Sequence, residues 1–93
     1  MNRTLIRSTS FVRASKHLLK RNQQAALDVE ATLELLSADA FDPRLKTHKL
    51  SGTFEDCWAC KAAYDLRIVF EFVTNDGSEA IVLHTVGTHD EVY

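Results

Sequence analysis

The 93 residues are read as a single domain over 1–93, with no length left for a linker and a second core. A composition of 45% hydrophobic and 26% charged residues, with three Gly and one Pro, excludes a disordered chain. No run reaches the roughly 20 apolar residues of a membrane span, and the opening MNRTLIRSTS lacks the apolar stretch of a signal peptide, so a cytoplasmic protein without a membrane partner is expected.

The net charge of −2 hides an asymmetry. Residues 1–24 carry Arg3, Arg7, Arg13, Lys16, Lys20 and Arg21 and no acid, whereas the remainder holds five Lys/Arg against thirteen Asp/Glu. Such a division marks separate surfaces for separate partners, or a solvated helix face.

In chain order, Thr4-Leu5-Ile6 reads as a short strand. Ser8 and Ser10 then offer N-cap oxygens for a helix to about Arg21, with Phe11, Ser15, Leu18 and Leu19 at helical spacing. Asn22 suits a tight break. A second helix follows from Gln23 to about Asp39, its apolar stripe made of Ala26, Val29, Leu33 and Leu36. Pro43 disfavours helix at Asp42 and opens a basic loop, Arg44 to Lys49.

From there the period changes from 3.6 to 2. Residues 57–64 place Trp58, Cys60, Ala62 and Tyr64 on one face and Cys57, Ala59, Lys61 and Ala63 on the other. Residues 66–73 place Leu66, Ile68, Phe70 and Phe72 opposite Arg67, Val69, Glu71 and Val73. Asn75-Asp76-Gly77 is a hairpin signal, and Ala80–Val86 is apolar enough to be a central strand. Helices first and a meander afterwards predict an α+β fold. Its N-terminal strand and helical hairpin pack on one face of a small antiparallel-rich sheet, against the aromatic-rich face. Lys61 and Arg67 then project from the opposite face, because a slip by one residue would bury both charges.

The Cys57-x-x-Cys60 spacing resembles a redox pair or half a zinc site. In a strand, residues three apart point to opposite faces, and no second such pair supplies further ligands. No metal and no cofactor are therefore expected.

The open face and its rims collect His48 and the basic loop residues Arg44, Lys46 and Lys49, then Lys61, Arg67, His89 and Tyr93. Those types suit metal-free cleavage of RNA. Attack by the 2′-hydroxyl needs a base, departure of the 5′-oxygen needs an acid, and imidazole serves either role near neutrality. Arg and Lys stabilise the charge that builds on phosphate, and an aromatic ring can stack on a splayed base. His84, mid-strand, is read as structural, and His17 has no chemical partner in view.

Three motifs resemble the RelE/ParE superfamily of type II toxins, most closely its YafQ-like mRNA interferase branch: His48-x-Leu50-x-Gly52, Asp65-Leu66-Arg67-Ile68-Val69-Phe70, and Gly87-Thr88-His89 with Tyr93 four residues on. The resemblance implies a RelE-like microbial RNase toxin fold and an endoribonuclease that cuts mRNA on the ribosome through a 2′,3′-cyclic phosphate. It implies His48 as general base, His89 as general acid, Asp65 as a supporting acid and Tyr93 as the terminal aromatic. Arg67 matches a strand arginine with phosphate or scaffold roles. The partners implied are a cognate antitoxin, mRNA and the ribosome, with DNA reached only through the antitoxin. The sequence departs from the branch at Ala59 and Lys61, where a further Asp and His are usual. Lys61 is retained as a catalytic-site phosphate ligand. A gyrase-poisoning toxin of the ParE type and a non-cutting, antitoxin-binding member are the alternatives.

Overall fold

The computed structural model describes residues 2–52 and 55–93. Strand β1 (Thr4–Arg7) leads into helix α1 (Thr9–Arg21), where the Ser8 hydroxyl accepts from Phe11 N at 3.0 Å and so satisfies a free amide of the first turn. Asn22 ends one helix and starts the next. Its extended backbone donates its N–H to Leu18 O, while its side chain accepts from Ala25 N, the N-cap bond of α2 (Gln23–Ala38). After a 3-10 turn at Pro43–Leu45 come β2 (His48–Lys49), β3 (Trp58–Ala63), β4 (Leu66–Asn75), β5 (Ser78–Gly87) and a short helix α3 (His89–Val92).

The five strands lie in the order β1-β5-β4-β3-β2, parallel between β1 and β5 and antiparallel elsewhere. The turn between β4 and β5 has Asp76 at φ 51° and Gly77 at φ 79°, as a two-residue type I′ connection requires. Helices α1 and α2 cover one face. Phe11, Leu18, Val29, Leu33 and Leu36 from the helices meet Cys60, Leu66, Ile68, Phe70, Ile81 and Leu83 from the sheet. Each large apolar side chain buried there contributes about 1.5–3 kcal/mol of transfer free energy.

A bulge in β5 sets which of its residues reach that core. Phe70 pairs with Leu83 but Val69 pairs with Thr85, so His84 is an extra residue. The added residue lets Ile81, Leu83 and Val86 all join the helix-facing core, although strict alternation would turn Val86 outward.

Several expectations are corrected. The register shift between Lys61 and Ala63 ends the alternation of β3, so Ala63 packs on the core and Tyr64 stands 90% exposed in the turn. On the helices, Leu19 is exposed and Ala25 is buried in place of Ala26. His48 and Lys49, read as loop, form an edge strand, and the last residues form a helix. Half of the N-terminal cations are paired: Arg3 with Glu79, Arg7 with Glu30 and Arg21 with Glu91.

Candidate active site

Pairing across the sheet builds the face opposite the helices. One row runs His48, Ala59, Val69, Thr85, and the next runs Lys61, Arg67, Gly87. Ala59 and Val69 are fully buried yet lie on the opposite side from the main core. Helix α3 turns back from the end of β5 to pack on β5 and β4, which carries Tyr93 to the His48 side.

Tyr93 joins the two histidines. Its ring meets the His89 ring edge-on at 4.6 Å between centroids and the His48 ring at 6.4 Å, and its Oη lies 3.4 Å from His48 Nε2. On the far side of the His48 ring, Nδ1 is 3.0 Å from Lys46 O. A carbonyl oxygen only accepts, so the proton of neutral His48 sits on Nδ1 and Nε2 carries the lone pair. That lone pair faces the Tyr93 hydroxyl and solvent. Burial raises the Tyr93 phenol above its ordinary 10.0, against the opposing charge of Arg67, so at neutral pH it is a hydroxyl donor. Lys46 reaches its position through a left-handed backbone, φ 52°, which caps the preceding 3-10 turn.

His89 is fixed through its backbone. Its N–H donates to Asp65 Oδ1 at 3.2 Å, and its ring Nδ1 is 3.7 Å from the exposed Asp90 carboxylate. Asp65 sits on the β3–β4 turn, and Arg67 holds that turn closed: its Nη1 donates to Ala63 O, Tyr64 O and Leu66 O at 3.0, 3.2 and 3.2 Å. Arg67 thus reads as scaffold through this nitrogen. Lys61 pairs in register with Arg67 and has no ion-pair partner among the described residues. Lys46 and Lys49 are exposed beside His48. Arg44 is not brought into the group. Its guanidinium grips Asp42 through two bonds of 3.0 and 2.9 Å, and this contact holds the Asp42 carboxyl at about 2.

The motif reading missed the residues that place α3. The Thr88 hydroxyl accepts from Glu91 N, Glu91 accepts from Thr88 N at 2.8 Å, and Arg21 of α1 reaches the same carboxylate at 3.1 Å. The signal was present in the sequence, since Thr88-His89-Asp90-Glu91 has capping-box spacing. The Cys pair divides as expected: Cys60 is in the core, its thiol pushed up to about 12 by burial, and Cys57 lies between exposed and buried at the foot of β3.

A family profile described as the bacterial toxin of a type II toxin–antitoxin system, YafQ, matches residues 3–93. No curated protein matches the chain in sequence. Among solved structures, the Escherichia coli DinJ–YafQ toxin–antitoxin complex contains a chain similar to this one with a TM-score of 0.74 at 16% identity, covering 100% of this chain and 99% of that one. A YoeB/ParE toxin from Agrobacterium tumefaciens gives 0.76 at 12% identity, over 92% and 98%. A conserved hypothetical protein from Helicobacter pylori gives 0.69 at 26% identity, over the whole of both chains.

Proposed function

This chain belongs to the YafQ family of bacterial type II toxins, and from that premise we propose that it is an endoribonuclease that cleaves mRNA on the ribosome by acid–base catalysis without a catalytic metal. The observation that carries the reading is the 3.0 Å contact of His48 Nδ1 with Lys46 O, from which its tautomer follows. With Nδ1–H bound to Lys46 O, Nε2 is the basic nitrogen and is turned toward the open face. His48 Nε2 takes the proton of the 2′-hydroxyl, whose oxygen attacks the adjacent phosphorus. His89 protonates the departing 5′-oxygen, giving a 2′,3′-cyclic phosphate and a 5′-hydroxyl. Lys61, Lys46 and Lys49 supply positive charge toward the phosphates. Asp65 positions His89, Arg67 positions Asp65, and Tyr93 orients the His48 lone pair and stacks on a base. Arg44 contributes least, since Asp42 neutralises it.

A cognate antitoxin is the protein partner proposed, in line with the complex of the structurally similar Escherichia coli toxin. Among the described residues no helix is long and apolar enough to cross a membrane.

Ribosomes translating a defined message test the reading. His48→Gln and His89→Gln should each lower the single-turnover cleavage rate by about 10²–10⁴-fold, the usual weight of a general base or acid, while antitoxin binding persists. Equal cleavage by parent and both variants would refute the acid–base assignment. Intact messages accompanied by DNA breaks would select gyrase poisoning instead. Intact messages and intact DNA with antitoxin bound would select the non-cutting member, for which Ala59 and Lys61 are the sequence argument.

A further inference from the structure

The open face carries a second group of chemically capable side chains, two residues along β3 and β4 from the paired Ala59 and Val69. Cys57, just before β3, Glu71 on β4 and His84 on β5 bring one ligand atom each to within 4.8 Å of one another, and all three residues are partly exposed. His84 Nε2 is already 3.1 Å from Glu71 Oε2. Alternation with the buried Ile81 and Leu83 turns His84, like Val82, away from the core. We propose that Cys57 Sγ, Glu71 and His84 Nε2 bind a single divalent ion of the zinc class, stapling β3, β4 and β5 together.

The donor set argues for that class. One thiolate, one imidazole and one carboxylate match the borderline-soft character of zinc, and a solvent molecule completes a tetrahedron. Magnesium and calcium, which take oxygen donors, do not fit a sulfur–nitrogen pair. The three atoms need to close only slightly, since zinc–ligand bonds are roughly 2.0–2.3 Å long and ligand atoms then sit about 3–4 Å apart. A His–Glu pair alone accounts for two of the groups. The Cys57 sulfur, which that pair does not need, stands as a third donor atom within 4.8 Å of both. Burial and the charges of Glu71 and Asp56 keep it a neutral thiol until a cation displaces its proton. On binding, the S–H bond breaks, the proton leaves to solvent, and bonds from sulfur, nitrogen and oxygen to zinc form without any change of oxidation state. The site uses neither His48 nor His89, so loading and RNA cleavage are separate properties.

The test uses the intact chain with zinc sulfate and, as a spectroscopic probe, cobalt(II) alone. Titration with cobalt should give one equivalent of tetrahedral visible bands together with a thiolate-to-cobalt charge-transfer band in the near ultraviolet. Zinc should displace the cobalt and raise the melting temperature. Cys57→Ser should abolish the charge-transfer band, and Cys57→Ser and His84→Gln should each weaken zinc binding by roughly 100-fold or more, beyond what outer partners of metal ligands cost. His48→Gln and His89→Gln should leave it unchanged. The parent protein alone can overturn the proposal, by showing no thiolate band or only octahedral cobalt. Loss of binding in His48→Gln or His89→Gln, with retention in Cys57→Ser, would also overturn it by placing the ion among the candidate catalytic residues. A loaded protein that cuts no RNA would count against the nuclease reading and leave the metal site standing.

Discussion

His48 takes its chemical state from its neighbours. Lys46 O fixes the proton on Nδ1, and the Tyr93 hydroxyl lies against Nε2. Tyr93→Phe removes that hydroxyl and keeps the ring edge against His89. A neutral hydrogen bond is worth about 0.5–1.5 kcal/mol, and 3.4 Å is long for one. Single-turnover cleavage should therefore fall about two- to tenfold, and Tyr93→Ala should fall further if the ring stacks on a base as proposed. Equal rates for parent and Tyr93→Phe would detach the hydroxyl from His48. The histidines, the lysines and Tyr93 were legible as residue types at particular spacings. The tautomer was not, because it depends on a carbonyl two residues away and a left-handed Lys46 that no periodicity announces.

At the scale of elements, α3 decides where His89 and Tyr93 stand. Gly87 lets it pack closely: a Cβ there would lie 3.0 Å from Glu91 Oε1, 3.2 Å from Glu91 Cβ and 3.3 Å from Val92 Cγ1. Gly87→Ala should destabilise the protein by about 1–3 kcal/mol, the usual cost of overpacking, and lower cleavage beyond what the lost folded fraction explains. Urea denaturation beside single-turnover rates separates the two effects. The Glu91 carboxyl is held below its ordinary 4.5, first by the Thr88 backbone N–H and then by Arg21. A depressed carboxyl contributes stability that is complete above its unfolded value and is lost as pH falls through its folded one. Below about pH 4.5 the parent should therefore lose stability more steeply than Glu91→Gln, which has no charge to lose. Parallel pH–stability curves would show that the capping box does not hold α3. The bulge at His84 belongs to this scale too. The sequence carried no signature of it, because residues 80–83 are all apolar and show no period of two.

Over the whole molecule, one core between the helical hairpin and the sheet supports both candidate groups of side chains, the proposed catalytic one and the proposed metal site. Ile68 and Phe70, fully buried on the inner face of β4, alternate with Arg67, Val69 and Glu71 of the outer face. A domain of this size has roughly 5–15 kcal/mol of stability, and Phe70→Ala should remove about 3–5 kcal/mol of it. Its melting temperature should fall by more than 10 °C, since 1 kcal/mol is worth about 4–8 °C in a domain of this class. Cleavage, antitoxin binding and metal loading should then decline together. A variant that melts near the parent temperature would mean that Phe70 is not central to the packing.

Local rules written into the chain determined the elements. Ser8 and Asn22 cap the helices, the 3.6-residue period gives way to one of 2 after Pro43, and Asn75-Asp76-Gly77 closes a hairpin. With them came the choice of face for Lys61 and Arg67, because burying two unpaired charges costs more than any register slip could return. Tertiary structure alone decided what meets across that face. Glu71 and His84 met Cys57, and α3 brought Tyr93 between two histidines 41 residues apart in sequence. Those partnerships depend on strand order and the return of the last helix over the sheet. Such long-range geometry leaves little trace in local propensity, since the entropy of closing so long a stretch of chain is repaid only when the core assembles.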